Sequence, residues 1–142
     1  MEGFGRKKSK NRKIKNLKAD NFKEQIIYKA FKFHSEGNIS EATKYYQSFI
    51  KHGFKDFRVF SNYGLILIGL GNFKDAEFCL RKAIELKPDY AEAHLNLGNI
   101  LQGLGNFKDS ELCLRKAIEL KPDFVIAHYN LGNILKNLGQ LE

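Results

Sequence analysis

No stretch of eighteen or more apolar residues occurs in this 142-residue chain, so a membrane-spanning helix is excluded on length alone. The basic start also lacks the apolar stretch of a secretory signal, and the expected compartment is therefore the cytoplasm. Cysteine is scarce: Cys79 and Cys113 lie 34 residues apart, with no CxxC or Cys/His spacing of the kind used by zinc or redox sites. Acids and aromatics are nearly missing from the first twenty residues, where Glu2, Asp20 and Phe4 stand against Arg6, Lys7, Lys8, Lys10, Arg12, Lys13, Lys15 and Lys18. That segment carries most of the net charge of +8 and too little apolar surface to offset chain entropy. Residues 1–20 are thus expected to be a basic disordered tail, with the fold beginning near Asn21. No Ser, His and Asp set converges and no nucleophile has a base beside it, so no enzyme activity, catalytic residue, cofactor or metal is expected.

What the chain does have is a repeat. Gly37, Gly71, Gly105 and Gly139 follow one another at intervals of 34 residues, and the next residues are Asn38, Asn72, Asn106 and Gln140. The segment from Gly71 to Tyr90 differs from that between Gly105 and Phe124 at three of twenty positions, which marks an internal duplication. A fixed period of this length belongs to stacked units that bury their apolar faces against one another.

Within Ala91 to Phe124, Leu97, Ile100, Leu101 and Leu104 recur at spacings of three and four, the pattern of one helix face. Gly105 stops that helix. Asn106 is placed to cap the next, with Asp109 three residues on, and Leu112, Leu114, Ala117, Ile118 and Leu120 are read as its buried face. Pro122 ends the hairpin, as Pro88 ends the preceding one, which begins at Phe57. The expected fold is all-α, built of antiparallel helix-turn-helix hairpins with no strand.

The segment AEAHLNLGNILQGLGNFKDSELCLRKAIELKPD resembles the tetratricopeptide repeat, and arrays of the bacterial type that precede glycosyl- or sulfo-transferase domains are similar to it. The positions that carry the resemblance are His94, Leu97, Gly98, Leu101, Ser110, Leu114, Ala117 and Pro122. One unit earlier they are Phe60, Tyr63, Gly64, Leu67, Ala76, Leu80, Ala83 and Pro88. A more divergent unit, about residues 23–56, fits at Ala30, Phe33, Ala42, Tyr46 and Phe49 but has Phe54 in place of the proline, so its hairpin is expected to end in a different turn. A fourth unit starts at Val125, with His128, Leu131, Gly132 and Leu135 in register. Its second helix is not reached by Glu142. The expected domain is thus a solenoid over residues 21–142, with repeats at about 23–56, 57–90, 91–124 and a truncated 125–142. The resemblance implies a right-handed superhelix. Leu131, Ile134, Leu135, Leu138 and Leu141 are expected to be partly uncovered at its end, through which the chain self-associates unless it is a fragment of something longer.

In such a stack the first helix of each pair lines the concave wall. The residues left on that wall after the core positions are removed are Arg58, Asn62, Leu65 and Gly69, then Glu92, Asn96, Asn99 and Gly103, then Ile126, Asn130, Asn133 and Asn137. Asn62, Asn96 and Asn130 share one column, and each amide offers a donor and an acceptor to a peptide bond. The candidate peptide-binding residues are therefore Asn62, Asn96, Asn99, Asn130 and Asn133. The plainer account is that they are solvated residues copied by duplication, although Asn62 persists in a helix that has lost about half its identity to the next. The family resemblance supplies a precedent, an asparagine ladder holding extended peptides in the sugar transferase that modifies Ser and Thr. It also disfavours chaperone C-termini as partners, because Ile27, Phe31, Asn96 and Asn99 stand where a carboxylate clamp has lysines and arginines.

His94 and His128 are read as packing residues. Successive repeats are separated by roughly 8 to 10 Å, too far for two histidines to share a metal or for Cys79 and Cys113 to form a disulfide. Glu85 and Glu119 are read as solvated residues near Lys82 and Lys116. The expected function is a non-enzymatic scaffold whose partner is a protein or peptide, an extended segment or a helix. Two alternatives are the substrate-recruiting array of a larger transferase and an adaptor making weak, sequence-blind polyanion contact through the tail.

Overall fold

The computed structural model describes residues 3–141, with side chains described for residues 6–139. Among them the chain forms α-helices and no strand: α1 Gly3–Ser35, α2 Ile39–Lys51, α3 Phe57–Gly69, α4 Phe73–Leu86, α5 Ala91–Gly103, α6 Phe107–Leu120 and α7 Val125–Leu141. They fall into two compact units, residues 1–54 and 55–142.

In the first unit α1 packs on α2, and the buried residues are Ile26, Ile27, Ala30, Ala42, Tyr46 and Phe49. Aromatic contacts supplement the aliphatic ones: Phe33 stacks on Tyr45 with ring centroids 5.6 Å apart, and His34 Nδ1 hydrogen-bonds Tyr46 Oη at 2.9 Å. With Phe54 replacing the proline, α2 ends instead on Gly53, whose φ of 71° is open to glycine at no steric cost. Residues Gly3 to Asp20, expected to be a disordered tail, are the first turns of α1. Lysine, arginine and leucine are good helix formers, no proline interrupts them, and the packed turns downstream supply the nucleus that an isolated segment lacks. Met1 and Glu2 of the expected tail lie outside the described residues.

In the second unit each helix packs on the next, α3 through α7, and the first helices also touch, α3 with α5 and α5 with α7. One turn is used twice. Gly71 and Gly105 sit at φ 75° and 78°, and the following amides reach back five residues, Asn72 N–H to Leu67 O at 2.9 Å and Asn106 N–H to Leu101 O at 2.8 Å. The residue that closes one helix then opens the next, because the Asn72 and Asn106 side chains cap α4 and α6. Those helices end at Lys87 and Lys121, whose extended backbone (φ −141° and −139°) is what a following proline demands. Gly139, in the same column as the turn glycines, lies inside α7.

The buried seam of α6 is Ser110, Leu114 and Ala117, at spacings of four and three. Leu112, expected inside, is 66% exposed because it falls on the opposite side of that seam, as Phe78 does on α4. Leu104 is likewise exposed beside its turn, whereas Ile118 and Leu120 are half-buried. Small residues set the spacing within each pair: a Cβ on Gly64 would meet Leu80 Cγ at 3.1 Å, and one on Gly98 would meet Leu114 Cγ at 3.0 Å. Gly132 has nothing within 4 Å of the same position. Of the residues expected to be uncovered on α7, Ile134 is fully buried, and Leu131 and Leu138 pack against the cluster of Leu95, Leu114, Ala117 and Ala127. Leu135 is exposed, while its counterparts Leu67 and Leu101 are buried, and the Leu141 side chain lies outside the described residues.

Candidate peptide-binding face

Asn62 lies on α3, Asn96 and Asn99 on α5, and Asn130 and Asn133 on α7, all half-buried. Their placement follows from the helix period. In α5, Ala93, Leu97, Ile100 and Leu101 take the packed positions, which leaves Asn96 and Asn99, three residues apart, on a shared face beside them. The structure brings one pair together: Asn130 Nδ2 donates to Asn99 Oδ1 at 2.6 Å, joining α7 to α5. Among the described hydrogen bonds none joins Asn62, Asn96 or Asn133 to another of the five.

That link explains which neighbours can pair. The residue one repeat before Asn99 is Leu65, which has no polar atom to receive Asn96, so the α3–α5 step has no counterpart of the Asn99–Asn130 bond. Leu65 and Ile126 are 41% and 57% exposed on this stripe and give it apolar surface between the amides. Charge on the stripe is largely answered by residues beside it. Arg58 forks onto Asp56 through Nε (3.0 Å) and Nη2 (2.7 Å), and Glu92 lies 3.9 Å from Lys121. What remains is an uncharged surface of amides and aliphatic groups, with one amide pair already engaged. The sequence reading missed that pairing. Its signal was present, an asparagine at both positions in successive repeats, but the lateral offset of the helices that aligns residue 99 with residue 130 is a packing property.

The other singled-out residues take structural roles. His94 and His128 donate from Nε2 to the carbonyls of Pro88 and Pro122, each at 2.8 Å, and so tie a first helix to the loop that enters it. Cys79 and Cys113 are free thiols; burial pushes the Cys79 thiol up to about 11 and raises that of Cys113 as well. Glu85 and Glu119 accept from Lys82 and Lys116 at 2.8 and 2.7 Å on α4 and α6, and the lysine hydrogen bond holds the Glu85 carboxyl below its ordinary value. Among the described residues no group of three His, Cys, Asp or Glu side chains could hold a metal ion, and no helix is long and apolar enough to cross a membrane.

Three family models match the second unit, one described as TPR repeat at residues 64–105 and two as tetratricopeptide repeat at 91–124 and 113–142, so that they jointly span residues 64–142. No curated protein sequence matches the chain. Among solved structures, MamA superposes with a TM-score of 0.78 at 24% identity, covering 88% of this chain and 74% of its own. The first tetratricopeptide domain of Spaghetti (RPAP3), bound to the HSP90 peptide SRMEEVD, gives 0.76 at 20% identity, with 82% and 93% covered. The Thermobaculum terrenum O-GlcNAc transferase gives 0.69 at 26% identity over 80% of this chain, which corresponds to 22% of the transferase.

Proposed function

Because the chain belongs to the tetratricopeptide-repeat family and its hairpins form an all-α solenoid, we propose that it is a non-enzymatic scaffold binding an extended peptide along the face of α3, α5 and α7. The observation that carries the reading is the run of half-buried, uncharged amides at Asn62, Asn96, Asn99, Asn130 and Asn133 on successive first helices. Amides held in one column supply donors and acceptors that a peptide backbone matches, whatever its side chains. Leu65 and Ile126 favour a ligand with some apolar residues. An acidic peptide such as the one bound by the Spaghetti domain is disfavoured: the stripe's one cation, Arg58, is held by Asp56, and Asn96 and Asn99 offer no charge.

The test is selection from a random linear peptide library on the immobilised chain. The comparison variant is Asn62→Ala/Asn96→Ala/Asn133→Ala, which leaves the Asn99–Asn130 bond intact. Selected peptides should lose at least tenfold in affinity to the variant and to N-methylation of their own backbone. Affinity indifferent to both changes would remove the amides from the binding role.

A second reading, favoured by the 26% identity to part of the O-GlcNAc transferase, makes the array the substrate-recruiting portion of a larger transferase. A transcript that continues past Glu142 into an α/β domain supports it, and a stop codon there in a stable product sinks it.

A further inference from the structure

The first half of α1 is the most strongly charged surface of the molecule, and the peptide-binding reading makes no use of it. Every residue from Arg6 to Phe22 is exposed, and between Arg6 and Lys18 there are eight cations and no acid. None of the eight forms an ion pair among the described residues, whereas the lysines and arginines of α2, α4 and α6 are repeatedly matched to a glutamate three or four residues away. A helical segment without acids, such as residues 6–18, leaves its charge available to a partner outside the chain.

The arrangement of the cations around the axis decides which partner. At 3.6 residues per turn, Arg6, Lys7, Lys10 and Lys13 fall within one arc of about 120°, and Lys8, Arg12, Lys15 and Lys18 within a second of about 120°. The gap between the arcs on one side is held by Ser9, Asn16 and Asp20. Ile14 and Leu17, 46% and 62% exposed, lie within the first arc among its cations, so the helix has no apolar face to set into a lipid surface. On the other side the arcs adjoin, Lys7 and Lys18 being about 20° apart, so the cations wrap about 260° of the helix, which fits a partner that presents phosphates on both of its flanks. The major groove of B-form DNA is about 12 Å wide and admits a helix of about 10 to 12 Å diameter between two phosphate backbones, whereas the deep, narrow groove of A-form RNA does not. No aromatic side chain lies between Arg6 and Asn21, which removes the stacking platform that single strands require.

We propose that residues 6–18 of α1 bind duplex DNA in a sequence-blind manner, lying in the major groove with both cation arcs against phosphates. The contact is electrostatic and releases counterions, so the logarithm of affinity falls with the logarithm of salt with a slope of about −5 if about six of the eight cations engage.

The experiment is fluorescence anisotropy of the full chain with a labelled 20-base-pair duplex DNA across a salt series. An equal-length duplex RNA and vesicles containing phosphatidylserine are run in parallel. Two variants neutralise one arc each, R6Q/K7Q/K10Q/K13Q and K8Q/R12Q/K15Q/K18Q, and circular dichroism establishes that both stay helical. Each variant is expected to weaken DNA binding at least tenfold at low salt and to reduce the salt slope by about half. The Asn62, Asn96 and Asn133 variant is expected to bind DNA as the unaltered chain does, which separates this surface from the peptide face. Loss confined to one variant, RNA bound as tightly as DNA, or vesicles bound more tightly than either would each overturn the proposal.

Discussion

Asn130 donates from its side-chain amide to Oδ1 of Asn99 across 2.6 Å, and the two residues belong to neighbouring first helices. The bond fixes the lateral register of α7 on α5 at the surface where a ligand would lie. It also orients both amides, leaving Asn99 Nδ2 and Asn130 Oδ1 pointing elsewhere.

A double-mutant cycle measures that link. Asn99→Ala and Asn130→Ala should each destabilise, and the double variant should cost less than the two singles together, with a coupling of about 0.5 to 1.5 kcal/mol. The check is the urea midpoint followed by circular dichroism. Additive singles would mean that the two amides prefer solvent to each other.

Gly98 and Gly132 occupy the same repeat position in different surroundings. Gly98→Ala would bring its methyl group to 3.0 and 3.1 Å from Leu114 atoms and 3.4 Å from Cys113 Cβ, whereas Gly132→Ala meets nothing within 4 Å. Alanine in a helix interior gains about 0.5 to 1 kcal/mol over glycine, and overpacking costs about 1 to 3 kcal/mol. Gly132→Ala should therefore raise the thermal midpoint and Gly98→Ala should lower it; a fall for both would show that Gly132 is packed.

The caps of α4 and α6 are matched. Oδ1 of Asn72 and of Asn106 accepts from the Asp75 and Asp109 amides, while each Nδ2 returns a bond to the aspartate carboxylate at 2.7 and 2.8 Å. Substitution of either asparagine by alanine should cost about 1 kcal/mol, and by glycine a few tenths. Equal losses for alanine and glycine in chemical denaturation would count against the capping role.

Burial holds the His34 imidazole below its ordinary value of 6.5. The unfolded chain thus takes up this proton first as pH falls, so the stability His34 contributes is complete above pH 6.5 and is lost progressively below it. Thermal melts between about pH 7.5 and about pH 5.5 should show a falling midpoint, with a shallower fall in His34→Gln. An equally steep fall in the variant would place the titrating group elsewhere.

Periodicity made the hairpins legible. The glycine column located the turns at Gly37, Gly71 and Gly105, and Asn106 was recognisable as a cap because a short polar side chain followed a helix stop and preceded an acid. Leu112 misled because composition cannot say on which side of a seam two residues wide a leucine falls. The helical state of residues 3–20 was hidden for a different reason. A segment with no apolar face draws its order from the helix it extends, and composition records only the missing face. At the candidate face the residues were legible and the bond was not, since residues 99 and 130 meet only once the helix offset is known.

In the second unit each helix packs chiefly on its neighbours, and the stretches 71–90 and 105–124 are identical at seventeen of twenty positions. A gene encoding such units can misalign with itself, and a slip of one register inserts or deletes 34 residues whose junctions reproduce those already present. Under the proposed peptide-binding role, the length of ligand that the face spans would change in whole units, and recombination would reset it in one step where point substitution would need many.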